Sequence, residues 1–544
     1  MSVRAGVFAV AVCVVCGCGD DDATPTDAGL GDAGEVDSGA SDAGSPDAGL
    51  AHVMAMTESG PVIGLDRGTS LVFRGVPYAA PPVGALRFAP PAAPTPWTMP
   101  IDATGMGTKC RQQQLLATTF EGTEDCLQLD VWTPALTGSR PVMVWIHGGG
   151  FTSGSGHFES TRIVEEGDVV VVGMNYRLGA LGFLAHPGVA GAGETTGNWG
   201  LLDQQAALRW VRANAAHFGG DPANVTIFGQ SAGGSSVLLQ TMARGSETLF
   251  EHAIEQSGPF SVTTSRADAE AVGARAAAEL GCTGDIAACL RAADADAVLA
   301  APAGVHLPGG EFYDGVTFQY QPTVDGVVLD ATPIARLRAH TTADVPMIIG
   351  ATTDEATILH NAIFGIPVTD EAEYRAVLVR LTGMLHVAPT FADTILAEYP
   401  VAAYASANDA LTHVSTDGAF ICQTRHTARL LTEAGRAVYL YHFDQAPARV
   451  AIAGLGVFHG ADLVFLFGNS SAVIGNPTSA PTLGPAMRGY WTRFAATGDP
   501  GGTPAWPIWS PTTDVRLHLS ATIDTETAYV DAKCDFWDSI YAAI

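Results

Sequence analysis

Val225-Thr226-Ile227-Phe228-Gly229-Gln230-Ser231-Ala232-Gly233 is the stretch that decides how this chain is read. An apolar, β-branched run ends in G-x-S-x-G and passes into helix-forming residues at Ser236-Val237-Leu238-Leu239-Gln240. That is the pattern of a strand and a helix joined by a turn that presents a serine. The spacing has a steric cause. A turn so tight leaves no room for side chains two residues before and two after the serine, and Gly229 and Gly233 provide that room. Such a turn lifts Ser231 Oγ clear of the backbone. It also leaves the Ala232 N–H at a helix start, aimed where charge would develop on an attacked carbonyl oxygen. The plainer reading is a chance Gly/Ser loop, and the flanking strand and helix signals weigh against it.

A second motif lies upstream. Pro141-Val142-Met143-Val144-Trp145-Ile146 reads as a buried strand, and it breaks at His147-Gly148-Gly149-Gly150-Phe151. Consecutive glycines after a core strand cost conformational order. They could form a flexible loop, or a backbone that must approach a reacting carbonyl and point N–H groups at it. Both halves of such a site in one chain favour the second reading.

In these motifs the chain resembles the type-B carboxylesterases, the cholinesterase-like branch of the α/β-hydrolases. Further matching stretches are Phe73-Arg74-Gly75-Val76-Pro77-Tyr78-Ala79, Glu124-Asp125-Cys126-Leu127, Asn175-Tyr176-Arg177-Leu178-Gly179, and Gly197-Asn198 through Phe218-Gly219-Gly220-Asp221-Pro222. The resemblance implies an α/β fold, with one large domain over residues 53–544 built on a mostly parallel sheet flanked by helices. It implies a serine ester hydrolase that needs no metal or organic cofactor and acts on a small-molecule ester.

In that fold the acid and the histidine follow the serine in the chain. His459 stands out among 15 histidines, because Gly456 and Gly460 flank it in Gly456-Val457-Phe458-His459-Gly460-Ala461-Asp462. His147 is its rival, but it precedes the serine and is better suited to shaping the glycine loop. For the acid, Pro346-Met347-Ile348-Ile349 reads as a strand ending at Gly350-Ala351-Thr352-Thr353-Asp354-Glu355, and active sites of α/β folds gather at such strand ends. Chemistry leaves Asp354 and Glu355 both open; the family pattern assigns Glu355. The resemblance also implies an oxyanion hole from the N–H groups of Gly149, Gly150 and Ala232, and a supporting role for Ser257, which could equally be an ordinary turn serine. Arg87 with Glu124, and Arg177 with Asp203, match buried family ion pairs and read as structure.

Composition bounds the reading. The chain has 544 residues, a formal charge of −29 and 47% hydrophobic residues. Such an acidic surface repels phosphate backbones and argues against a nucleic-acid partner; its plain meaning is solubility. Arg4 precedes an apolar segment from Ala5 to Cys16, too short to span a bilayer but suited to an export signal. Residues 1–18 read as a lipoprotein-like signal with Cys18 as the lipidated residue, or as a signal for plain secretion. Residues 19–52 repeat Asp-Ala-Gly at Asp27, Asp32, Asp42 and Asp47 and read as a disordered tether. Any membrane attachment would run through that N-terminal lipid, at the cell envelope.

Beyond the signal lie Cys110, Cys126, Cys282, Cys289, Cys422 and Cys534. An even number in an exported chain suggests disulfides, and no C-x-x-C or H-x-x-x-H cluster supports metal binding. Family resemblance picks the pairs Cys110–Cys126, Cys282–Cys289 and Cys422–Cys534.

Two departures from the cholinesterases bear on substrate. The Cys110–Cys126 segment has no tryptophan, its one aromatic being Phe120, whereas cholinesterases face a quaternary ammonium with tryptophan there. Gln230 stands where they carry glutamate, which removes a negative charge. Both point to neutral esters, expected to be of short to medium chain length. Two rival readings are a non-catalytic recognition protein on this fold and an amidase or peptidase using the same triad.

Overall fold

The computed structural model describes residues 49–114, 119–301, 319–360, 368–450, 452–470 and 474–544. Its frame is a 13-stranded sheet. In chain order the main strands are β1 (Ala51–Thr57), β2 (Gly60–Asp66), β3 (Leu71–Pro77), β4 (Gln128–Thr133), β5 (Arg140–Ile146) and β6 (Val170–Met174). They continue with β7 (Gly220–Gln230), β8 (His252–Gln256), β9 (Met347–Thr352), β10 (Val438–Phe443), β11 (Arg516–Leu519) and β12 (Asp524–Glu526). The spatial order is β1-β2-β3-β4-β6-β5-β7-β8-β9-β10-β11-β12, with Ile101–Asp102 paired to β2. From β6 to β11 every pairing is parallel, and antiparallel strands close both edges. This is the expected α/β-hydrolase architecture.

The apolar runs are explained by burial on both faces. Along β5, Val142, Val144 and Ile146 enter one core cluster while Met143 and Trp145 enter the other. Ile227 and Phe228 of β7 divide likewise, as do Ile349 and Ile348 of β9. Helices cover both sides, among them α1 (Trp199–Asn214), α2 (Ala232–Gln240), α3 (Cys422–Glu433), α4 (Leu483–Thr497) and α5 (Asp531–Tyr541).

Several expectations shift in detail. Strand β9 runs on through Gly350-Ala351-Thr352, because each of these pairs with β10. Gly350 allows this: a side chain there would collide with the Tyr441 ring. Strand β7 starts at Gly220, before the apolar run, with a register shift against β5 between Gly220 and Val225. Strand β1 starts at Ala51, ahead of the domain boundary read from the sequence, and pairs with β2 from its first residue. Residues 1–48, including Cys18 and most of the expected tether, lie outside the described residues. No described helix is long and apolar enough to cross a membrane.

All three disulfides form as the resemblance implied: Cys110–Cys126, Cys282–Cys289 and Cys422–Cys534. The last ties α5 to α3. The ion pairs hold as well. Arg177 clamps Asp203 with Nε and Nη2 at 2.8 and 2.7 Å, and Arg87 pairs with Glu124. Burial pushes the Asp203 carboxyl up, and Arg177 opposes that rise. Breaking the buried Arg177–Asp203 pair would strand a charge and cost several kcal/mol.

Candidate active site

The turn after β7 has the strain its sequence calls for. Ser231 sits at φ +61°, ψ −128°, a region L-residues avoid and one that costs about 1–3 kcal/mol. Its N–H donates to Gln256 O at 2.9 Å, which fixes the turn to β8. The glycines are required by crowding: a Cβ on Gly229 would meet the Ile146 and Gly233 backbones at 2.6 Å, and one on Gly233 would collide with the Ile146 carbonyl. The α2 helix starts directly at Ala232.

The glycine loop folds back against this turn. A Cβ on Gly148 would come within 2.9 Å of Ser231 Cβ. Gly149 and Gly150 take φ +107° and +63°, and Gly149 O accepts from the Thr152 and Ser153 N–H groups at 3.1 and 3.0 Å. Among the described residues, none of the Gly149, Gly150 and Ala232 N–H groups donates to a protein acceptor. His147 shapes the loop, as expected. Its Nδ1 bonds Gly148 O at 2.8 Å, its ring stacks on Tyr176 at 4.4 Å, and burial drops its pKa to about 4.

Glu355 and His459 meet at the C-terminal ends of the parallel strands. Glu355 Oε2 accepts from His459 Nδ1, and both residues are buried. The other oxygen, Oε1, accepts from Ser257 Oγ at 2.6 Å and from Thr352 N–H at 2.7 Å. Ser257 is therefore a partner of Glu355. Asp354 does something else: its Oδ2 accepts from Val457 N–H at 2.8 Å and its own N–H donates to Val457 O at 3.0 Å. It pins the histidine loop to the end of β9.

One contact was not legible in the sequence. His459 Nε2 lies 3.1 Å from Gln230 Nε2, and no hydrogen bond from Ser231 Oγ to that ring forms among the described residues. Gln230 was expected to act through the charge it lacks, as seen by substrate. It is fully buried, with its amide directed at the histidine. Two further carboxylates also escaped notice. Asp462 accepts from Gln256 Nε2 at 2.6 Å, and burial pushes it up to about 6, with nearby Glu355 adding to the rise. Burial likewise holds Glu255 well above the carboxylate range. Asp462 lay in a quoted motif, but nothing in its spacing signalled complete burial.

The grouping of described residues best able to hold a metal is His442, His518 and Glu526, with donor atoms within 4.8 Å of one another. Hydrogen bonds already occupy these groups. His442 contacts Glu526 and Thr353 at 2.8 Å each, and His518 contacts Asp524 at 2.8 Å.

A serine on a strained strand–helix turn, facing a glycine loop and near a histidine–glutamate pair, defines a serine hydrolase of the α/β-hydrolase fold. Sequence comparison supplies the particular family. A family model described as the carboxylesterase family matches residues 51–537, and the chain belongs to that family. It is 32% identical over 509 residues to carboxylesterase 1D of Mus musculus, covering 87% of this chain and 89% of that protein. The solved structure of a PNB esterase matches with a TM-score of 0.78 and 31% identity, covering 90% of this chain and 100% of that one. The protein is a carboxylic ester hydrolase acting on small-molecule esters.

Proposed function

We propose that the protein hydrolyses neutral esters of short to medium chain through an acyl-enzyme on Ser231. Ser231 Oγ attacks the ester carbonyl carbon while its proton passes to His459 Nε2. Glu355, bonded to Nδ1, fixes the tautomer and stabilises the imidazolium. The free N–H groups of Gly149, Gly150 and Ala232 receive the oxyanion. The carbonyl–alkoxy bond then breaks as His459 returns the proton to the departing alcohol. Water repeats the sequence, releasing the acid and restoring Ser231.

The observation that carries this reading is the Glu355–His459 contact beside a serine held at positive φ. Neutral substrates are supported by the absence of a tryptophan between Cys110 and Cys126. Export, with release or a lipid on Cys18, is supported by the signal-like residues 1–18 and by the disulfides.

The test is fluorophosphonate labelling with peptide mapping, together with p-nitrophenyl esters of increasing chain length. Label on Ser231 and a loss of about four to six decades in kcat for Ser231→Ala, at unchanged Tm, are expected. Residual activity within about tenfold of wild type would refute the assignment.

A further inference from the structure

Gln230 occupies the atom of His459 that the reaction needs. The Glu355 carboxylate can only accept, so the proton of the neutral imidazole resides on Nδ1 and leaves Nε2 as a lone pair. Gln230 Nε2 is an amide nitrogen, which donates and cannot accept. The contact at 3.1 Å is therefore an amide N–H donating to the lone pair that would receive the Ser231 proton. The rest of the side chain gives no other reason for this placement. Gln230 is fully buried, and among the described residues its Oε1 has no hydrogen-bond partner. The amide lies against two glycines of the site: a Cβ on Gly460 would sit 3.7 Å from Nε2, and one on Gly148 would sit 3.4 Å from Oε1.

We propose that Gln230 is a positioning residue that caps the catalytic base in the resting enzyme, so that Ser231 is activated only when the amide gives up the histidine. An ionised glutamate, the cholinesterase residue at this position, has no N–H and could not form such a cap. This inference rests on Ser231 and His459 being nucleophile and base.

Gln230→Met keeps an unbranched chain of similar length and removes the donor. A neutral hydrogen bond contributes about 1 kcal/mol, so its loss should speed phosphonylation of Ser231 by a neutral fluorophosphonate about two- to tenfold. The rate constant kcat for a p-nitrophenyl ester should rise where acylation limits it, with KM unchanged because Gln230 is buried away from solvent. Gln230→Glu, which restores polarity without a donor once ionised, should speed phosphonylation as well. Thermal melting of both variants separates this effect from misfolding, and either folded variant suffices for the test. Phosphonylation that is unchanged or slower in a folded variant would overturn the cap. Ser231→Ala retaining activity would instead overturn the underlying assignment of nucleophile and base.

Discussion

Adjacent carboxylates at the end of β9 give the sharpest test of the site, because the structure assigns them unlike tasks. Glu355→Gln keeps the shape and can still accept from Ser257 and Thr352 through its amide oxygen. It loses the charge that faces His459 Nδ1 in a fully buried setting. An uncharged partner cannot stabilise the imidazolium and can hold the wrong tautomer, a defect that costs a serine triad on the order of four decades in kcat. Asp354→Asn leaves an oxygen able to accept from Val457 N–H and touches neither His459 nor Glu355. Its cost is bounded by one charge-assisted backbone hydrogen bond, about 1.5–3 kcal/mol of stability, and less than about tenfold in kcat is expected. Steady-state kinetics on a p-nitrophenyl ester, paired with thermal melting, reads both effects. Glu355→Gln should lose activity at near-normal Tm, whereas Asp354→Asn should lose Tm at near-normal activity. The reverse pattern would show that the acid is Asp354 and that the family pattern applies one residue earlier in this chain.

Two further outcomes follow from the packing and electrostatics. Replacing both Cys422 and Cys534 by Ser should destabilise the protein by up to about 5 kcal/mol on the chain-entropy account, since the sequence separation is 112. The Trp537–Tyr399 and Tyr541–Gly418 hydrogen bonds should keep α5 partly docked, so urea unfolding should show the loss and retained activity in urea above that of wild type would refute it. Asp462 titrates near 6 when folded, against a usual value near 4, so the folded state holds its proton more tightly. Its contribution to stability therefore falls as pH rises from about 4 to 6 and is flat above, a swing of about 3 kcal/mol. Asp462→Asn should narrow the stability difference between pH 4.5 and 7.5, checked by chemical denaturation at about those two values; an unchanged difference would refute the buried, proton-holding carboxyl.

Much of the molecule was written locally. The serine turn, the glycine loop and the buried strands are legible because their causes act over a few residues: Gly229 and Gly233 answer a steric collision, and Val142 to Ile146 answer burial on both faces of a sheet. The sequence also presented His459 and a pair of carboxylates, but it could not choose between the two by chemistry alone. That choice is tertiary. Asp354 and Glu355 are neighbours in the chain, and the turn into the short helix Glu355–Ile358 sends one toward the Val457 backbone and the other to the His459 ring. Gln230 shows the same division. Its identity was plain beside the serine, yet its partner is 229 residues away, across the end of the sheet. Asp462 and Glu255 look like ordinary acids in sequence, and only complete burial near Glu355 raises them. Short-range sterics and hydrophobic periodicity are encoded residue by residue. Which buried polar atoms face one another is set by how the strand ends converge, and no local pattern carries that.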